Sequence, residues 1–238
     1  MKPRLNMTLV FILTISVGTL IAAPSNGEPK SVENEKATKT IENAERTLDN
    51  VMENPVLGIP KSLINKSEGI VIFPRSCQIA AGAFNGPGGK GIAMIHNEDG
   101  SWSNPLFVTL GEGIQGYRIG IEASDIVLFF KDRNDIIDID KSEITLGSDV
   151  GVAAGPVNKG SSSNTDIIFE TEIYSYHLSK GLFAGVSLKG GILSYYEKLS
   201  DSLYGIEAIN MGEIFYKIEI PYNDKVNDLI AALNMRGE

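Results

Sequence analysis

The chain has 238 residues, 42% hydrophobic and 21% charged, which is enough apolar material for one sizeable globular domain. Its formal net charge of −9 excludes nucleic-acid binding through a basic face. Its single cysteine, Cys77, excludes a disulfide framework.

Residues 1–27 read as an export signal. Lys2 and Arg4 precede an uncharged apolar run over residues 7–23, and small residues follow, so cleavage is expected between Ala22 and Gly27. The competing reading is an uncleaved anchor, for which the run is at the short edge. Either way the body is expected outside the cytosol. Removing the signal leaves 19 basic against 30 acidic residues, a net charge of −11.

Over residues 31–54, Ala37, Ile41, Ala44, Leu48 and Val51 repeat at spacings of four and three, which predicts a charged helix with a narrow apolar stripe. Ser31 suits its N-cap, and Pro55 and Gly58 stop it. Pro60 suits the first turn of a short second helix. From Gly69 the character changes to short apolar runs bounded by turn residues. GIVIFP, CQIAAGAF, GIAMIH, PLFVTL, GYRIGIEA and DIVLFFK read as strands, with a hairpin turn at Asp99-Gly100 before Trp102. Residues 132–143 suit helical turns. DVGVAAGPV, TDIIFETEIYSY, LFAGVSL and GILSYY form a second strand set, interrupted by a polar loop over residues 155–164. Val226, Leu229, Ile230 and Leu233 mark a closing helix over residues 224–235. The expected class is α+β: a mainly antiparallel, curled or barrel-like β body, with an N-terminal helical region and a short C-terminal helix. The expected organisation is a signal over 1–27, an amphipathic helix over 28–54 and a β-rich domain over 55–238.

The chemical motifs are weak. GEGIQG and GPGGKG fit G-x-G-x-x-G but lead into strands, where a dinucleotide site needs a helix. GVSLKG does not fit a nucleophile elbow. His96 and His177 lie in no metal-binding spacing, and DRNDII carries Ile136 and Ile137 where a calcium loop needs an oxygen ligand and Gly. Asp132, Asp135, Asp138 and Asp140 read as a solvated face, and no acid pair is singled out for proton transfer. No catalytic residue, metal or cofactor is expected. Trp102 reads as a core residue capping the sheet, with interfacial anchoring as the alternative. Tyr195 and Tyr196 read first as strand residues.

In SKGLFAGVSLKGG, residues 179–191, the side chains alternate with period two, so its glycines belong to a strand that curves or lets a neighbour approach. Together with GIVIFP, AAGAF, GSWSNPLF, GIQGYRIGIEASDIVLFF, DVGVAAGPV, YSYHLSKGLFAGVSLKG and SLYG in that order, it resembles the SYLF lipid-binding domain family over roughly residues 55–205. The resemblance implies a non-catalytic module that binds membrane lipid, phosphoinositides in eukaryotic members, with actin bundling in some fungal ones. It also implies an N-terminal amphipathic region that meets the membrane ahead of a mainly β body. An export signal on the domain alone looks like the bacterial branch, facing the periplasm or envelope, where actin is not an expected partner. The expected contacts with phospholipid are Lys180 and Lys189, flanking the apolar Phe183, with Lys159 in the polar loop. The alternatives are a carrier of a small hydrophobic ligand in a β cavity and an envelope module that binds proteins.

Overall fold

The computed structural model describes residues 30–52, 59–74, 89–112, 125–140, 142–156, 168–179, 182–185, 188, 190–216 and 224–237. Helix α1 (Lys30–Met52) leads to α2 (Lys61–Lys66), and the strands β1 (Gly69–Phe73), β2 (Gly89–Ile95), β3 (Leu106–Glu112) and β4 (Asp125–Phe130) follow. A helical turn, α3 (Asn134–Ile137), continues as a 3-10 turn over Asp138–Asp140. Next come β5 (Ile144–Thr145), β6 (Val152–Ala154), β7 (Ile173–Ser179), β8 (Leu182–Gly185) and β9 (Gly191–Tyr195). The helices α4 (Glu197–Tyr204), α5 (Met211–Tyr216) and α6 (Asp224–Gly237) close the chain.

The strands form one curled sheet in the order β5-β9-β3-β2-β1-β4-β7-β6, with β8 also paired to β7. The pairing is antiparallel throughout except between β6 and β7, which run parallel, so the sheet is mixed. The centre is buried on both faces. Ile70, Val71, Ile72 and Phe73 of β1 are fully enclosed, as are Ile92 to Ile95 of β2 and Ile126 to Phe130 of β4. Runs such as DIVLFF lack alternation for that reason.

Helix α1 is part of this core. Ala37, Ile41, Ala44 and Leu48 are 0% exposed and Val51 is 1%. The helix packs on β1, β2, α4 and α6. Its N-terminal half is tied to α4 by Lys198 Nζ to Glu33 Oε1 at 2.7 Å and by Asn34 Nδ2 donating to the Ser202 carbonyl at 2.8 Å. The stripe that would otherwise suit a bilayer surface is spent on the protein interior. Ser31 lies inside the helix rather than capping it, because the helix begins a residue earlier.

Three segments differ from their expected form. TDIIFETEIYSY is not one strand, since β7 begins only at Ile173. Residues 168–172 fold back instead: the Phe169 ring stacks on Tyr174 at 5.1 Å, and the Tyr174 hydroxyl donates to the Ile168 carbonyl at 3.3 Å. Residues 197–204 and 211–216, given no structure from sequence, are α4 and α5. Leu199, Ser200, Leu203 and Tyr204 form the buried side of α4, and the Tyr204 hydroxyl donates to the Pro105 carbonyl at 2.6 Å. CQIAAGAF, GYRIGIEA and Cys77 lie outside the described residues.

Two glycines earn their place by close approach. A Cβ on Gly91 would fall well inside 3.0 Å of both the Ile72 carbonyl oxygen and the Phe73 ring. A Cβ on Gly155 would enter the ring of Tyr176, which packs edge-on against Phe129 and donates its hydroxyl to the Pro156 carbonyl at 2.8 Å. The run after GPGGKG is a strand rather than a helix, and β2 begins earlier than expected, at Gly89, so Gly89, Lys90 and Gly91 are strand residues.

Candidate functional site

The two ends of the sheet differ in chemistry. At one end β1 begins and β2 and β4 finish. There Glu68 continues the ladder, its N–H donating to the Phe130 carbonyl and its own carbonyl accepting from His96, both at 2.9 Å. The hairpin read at Asp99-Gly100 is present: Gly100 has φ 85°, and His96 pairs with Trp102 across the turn. The His96 and Trp102 rings stack at 4.8 Å, and Trp102 is only 5% exposed, which places it in the core at the end of the sheet. Ser103 fixes the return, its N–H donating to the Ile95 carbonyl and its Oγ accepting from the Ile95 N–H, both at 2.9 Å.

This turn, the turn after β4, and helices α5 and α6 enclose an open groove of about 1130 Å³. Glu68, Glu98, Asp99 and Asp132 line it with Arg133, and Arg133 is committed to Glu68 at 3.2 Å. Asn97, Ser101, Asn104, Asn134 and Asn227 supply polar walls. Trp102, Ile137, Phe215 and Tyr216 supply apolar ones, with Tyr216 itself exposed. Asn104 Nδ2 donates to the Ile214 carbonyl at 3.3 Å, joining the hairpin side to α5.

Two of the carboxylates, Asp99 and Asp132, are held by local donors. Ser101 donates to Asp99 from its hydroxyl at 2.6 Å and its N–H at 2.9 Å, holding that carboxyl below its ordinary value. Asp132 accepts from the Asn134 N–H at 2.8 Å. Behind the groove wall, partial burial pushes the Asp135 carboxyl upward, and the like charges of Asp132, Glu172 and Asp138 push it further. The folded state therefore holds the Asp135 proton more tightly than the unfolded chain, and stability falls as pH rises from about the ordinary value of 3.8 through the raised one. Asp135→Asn is expected to raise the melting temperature at pH 7, with the gain shrinking toward pH 3.8. Thermal melts of both proteins across that range check this; an unchanged difference at all pH values would refute it.

The described strand ends nearest in sequence to the residues expected to meet lipid lie at the other end. Lys180, Lys189 and Lys159 lie outside the described residues, as does the side chain of Phe183, whose backbone in β8 is paired with Leu178. Their described chain neighbours are informative. Lys180 falls between the paired Ser179 and Leu182, Lys189 falls just before β9, and Lys159 follows Pro156 beyond β6. Each of these strand ends is at the opposite end of the sheet from the groove. His177 is also near that end, where burial lowers its pKa against the pull of Asp125, so His96 and His177 are not brought together. Tyr196 carries Lys90 Nζ 5.0 Å over its ring, and the Tyr195 hydroxyl donates to the Ile209 carbonyl at 2.7 Å. Sequence reasoning found two groove walls separately, the Asp-Gly turn with Trp102 and the DRNDII segment. It missed Glu68, Phe215 and Tyr216, which join the groove only through tertiary packing.

Sheet and helices together define an α+β domain whose curled mixed sheet is packed against α1 and carries an acidic groove at one end. Residues 111–236 match the Ysc84 family, described as a Las17-binding protein actin regulator, and the chain belongs to that family, the SYLF domain family of the sequence resemblance. It is similar to SH3 domain-containing YSC84-like protein 1 of Xenopus laevis, 30% identical over 194 residues that cover 81% of this chain and 56% of that protein. The human protein of the same name is 35% identical over 136 residues, covering 57% of this chain and 39% of its own length. Protein YSC84 of Saccharomyces cerevisiae is 26% identical over 208 residues, covering 83% and 42%. The chain thus spans about half the length of such relatives, or less.

Proposed function

We propose that the chain is a non-catalytic binding module that associates with phospholipid surfaces, carried out of the cytosol by residues 1–27. Family membership supports the first part through the lipid-binding character that the SYLF resemblance implies. The observation that carries the reading is the separation of charge along the sheet. The connections bearing Lys159, Lys180 and Lys189 leave from the end opposite Glu68, Glu98, Asp99 and Asp132. The five residues of β1 alone separate the two ends by roughly 17 Å, about two Debye lengths at physiological salt. An anionic surface can therefore meet the lysines while the groove acids remain screened from it. A non-catalytic role is supported by Glu68, Asp99 and Asp132 of the groove, which are engaged in ion-pair and turn contacts.

Flotation with vesicles tests the reading. The chain is expected to float with phosphatidylcholine vesicles containing phosphatidylserine at low salt, and much less with phosphatidylcholine alone. The double change Lys180→Glu/Lys189→Glu should weaken association by roughly tenfold or more, since each basic residue near such a surface is worth about 1 kcal/mol. No flotation at low salt would overturn the proposal.

A further inference from the structure

The acidic groove is on the wrong side of the molecule for lipid and has the wrong sign for it. We propose that it is a docking site for a basic peptide segment of a partner protein, with an Arg or Lys side chain entering between the hairpin turn and α5.

Three independent observations converge on this occupant. The first is charge: four carboxylates and one guanidinium line the groove, and that guanidinium is paired with Glu68. A cationic guest is complementary, whereas a phosphate or carboxylate would meet repulsion.

The second is an acceptor without a donor. Asn97 lines the groove and its Nδ2 donates to Ser101 Oγ at 3.2 Å, but its Oδ1 is buried and has no hydrogen-bond partner among the described residues. A buried acceptor left this way is costly, so a rotation of the Asn97 side chain that turns Oδ1 into the groove is favoured once a guest's guanidinium or ammonium brings donors to it.

The third is the shape and apolar content. The partly exposed Ile137 and the exposed Tyr216, backed by the buried Trp102 and Phe215, offer surfaces for the aliphatic stem of a Lys or Arg and for the face of a guanidinium. The volume of about 1130 Å³ exceeds the usual small-molecule range and the groove is open to solvent, which leaves room for a peptide. A small polyamine would satisfy the charges but leave the apolar walls uncovered.

Trp102 is the only tryptophan in the chain and lines the groove, so its fluorescence reports occupancy directly. The chain is titrated with a short Arg- and Lys-containing peptide that also carries Leu, with the sequence in which Glu replaces the basic residues, with spermine and with calcium chloride. The basic peptide is expected to give a saturable change that weakens severalfold between low and 0.5 M salt. Glu98→Gln/Asp132→Asn is expected to weaken it by roughly tenfold while leaving the melting profile cooperative; the asparagine keeps the acceptor for the Asn134 N–H. Lys180→Glu/Lys189→Glu should leave peptide binding unchanged, so loss of vesicle flotation and loss of peptide binding are separate outcomes. The proposal is overturned by the absence of a saturable change, by equal affinity in the Glu98/Asp132 variant, by equal binding of the acidic peptide, or by spermine or calcium matching the peptide at the same concentration.

Discussion

Gly91→Ala is expected to destabilise the fold by about 3 kcal/mol or more, lowering the melting temperature by roughly 6–12 °C. The added methyl would overlap the Ile72 carbonyl oxygen, which belongs to the neighbouring strand and cannot rotate away as a side-chain tip could. It would also press on the Phe73 ring, itself 0% exposed. β1 and β2 would have to separate at the centre of the sheet, where each is hydrogen-bonded on both sides. Denaturant unfolding of the two proteins measures the loss. A change below about 0.5 kcal/mol, the range of ordinary surface substitutions, would mean that the strands do not approach as described.

The second large effect concerns α1. Ile41 and Leu48 are 0% exposed and two turns apart on the helix. Each truncation to Ala typically costs 2–5 kcal/mol, and at that spacing the costs add approximately. Ile41→Ala/Leu48→Ala is therefore expected to lose about 4–10 kcal/mol, a large share of the 5–15 kcal/mol that holds a typical domain together. The loss should be visible as a collapse of cooperative unfolding and as binding of a dye that reports exposed apolar surface. If the helix were instead a loosely attached membrane-seeking element, the same changes would leave unfolding of the sheet nearly untouched and lower only vesicle association. The two outcomes distinguish a helix that completes the core from one that rests on it.

The sequence was most legible where one physical rule acted alone. The stripe of Ala37, Ile41, Ala44, Leu48 and Val51 has a single period, and all five residues are in the core. The strands around DIVLFF and GIVIF could be read from length and composition, and Asp99-Gly100 from its need for positive φ. Legibility fell where tertiary contacts chose between local options. Residues 168–172 have strand composition, yet Tyr174 uses its hydroxyl to hold them in a turn, accepting from the Glu170 N–H at 3.1 Å and donating to Ile168. Helix α4 is two turns long, too short for periodicity to speak, although its left-handed Gly205 with φ 69° is a recognisable stop. The parallel β6–β7 pair could not be inferred, because three-residue strands carry no orientation signal. The groove was the least legible feature. Its walls come from segments as far apart as Glu68 and Asn227, and each alone reads as an ordinary polar surface.

The order of the sheet bears on what was inherited and what can fold. The family match begins at residue 111, within the last two residues of β3. A polypeptide confined to the matched stretch would have no β1 or β2 and almost no β3. The strands left behind would be two disconnected groups, β5 with β9 and β4 with β7, β6 and β8. No other described strand would bridge them, and no α1 would cover them. A fragment cut at residue 111 would therefore keep the stretch that matches the family and lose the described strands that join its sheet.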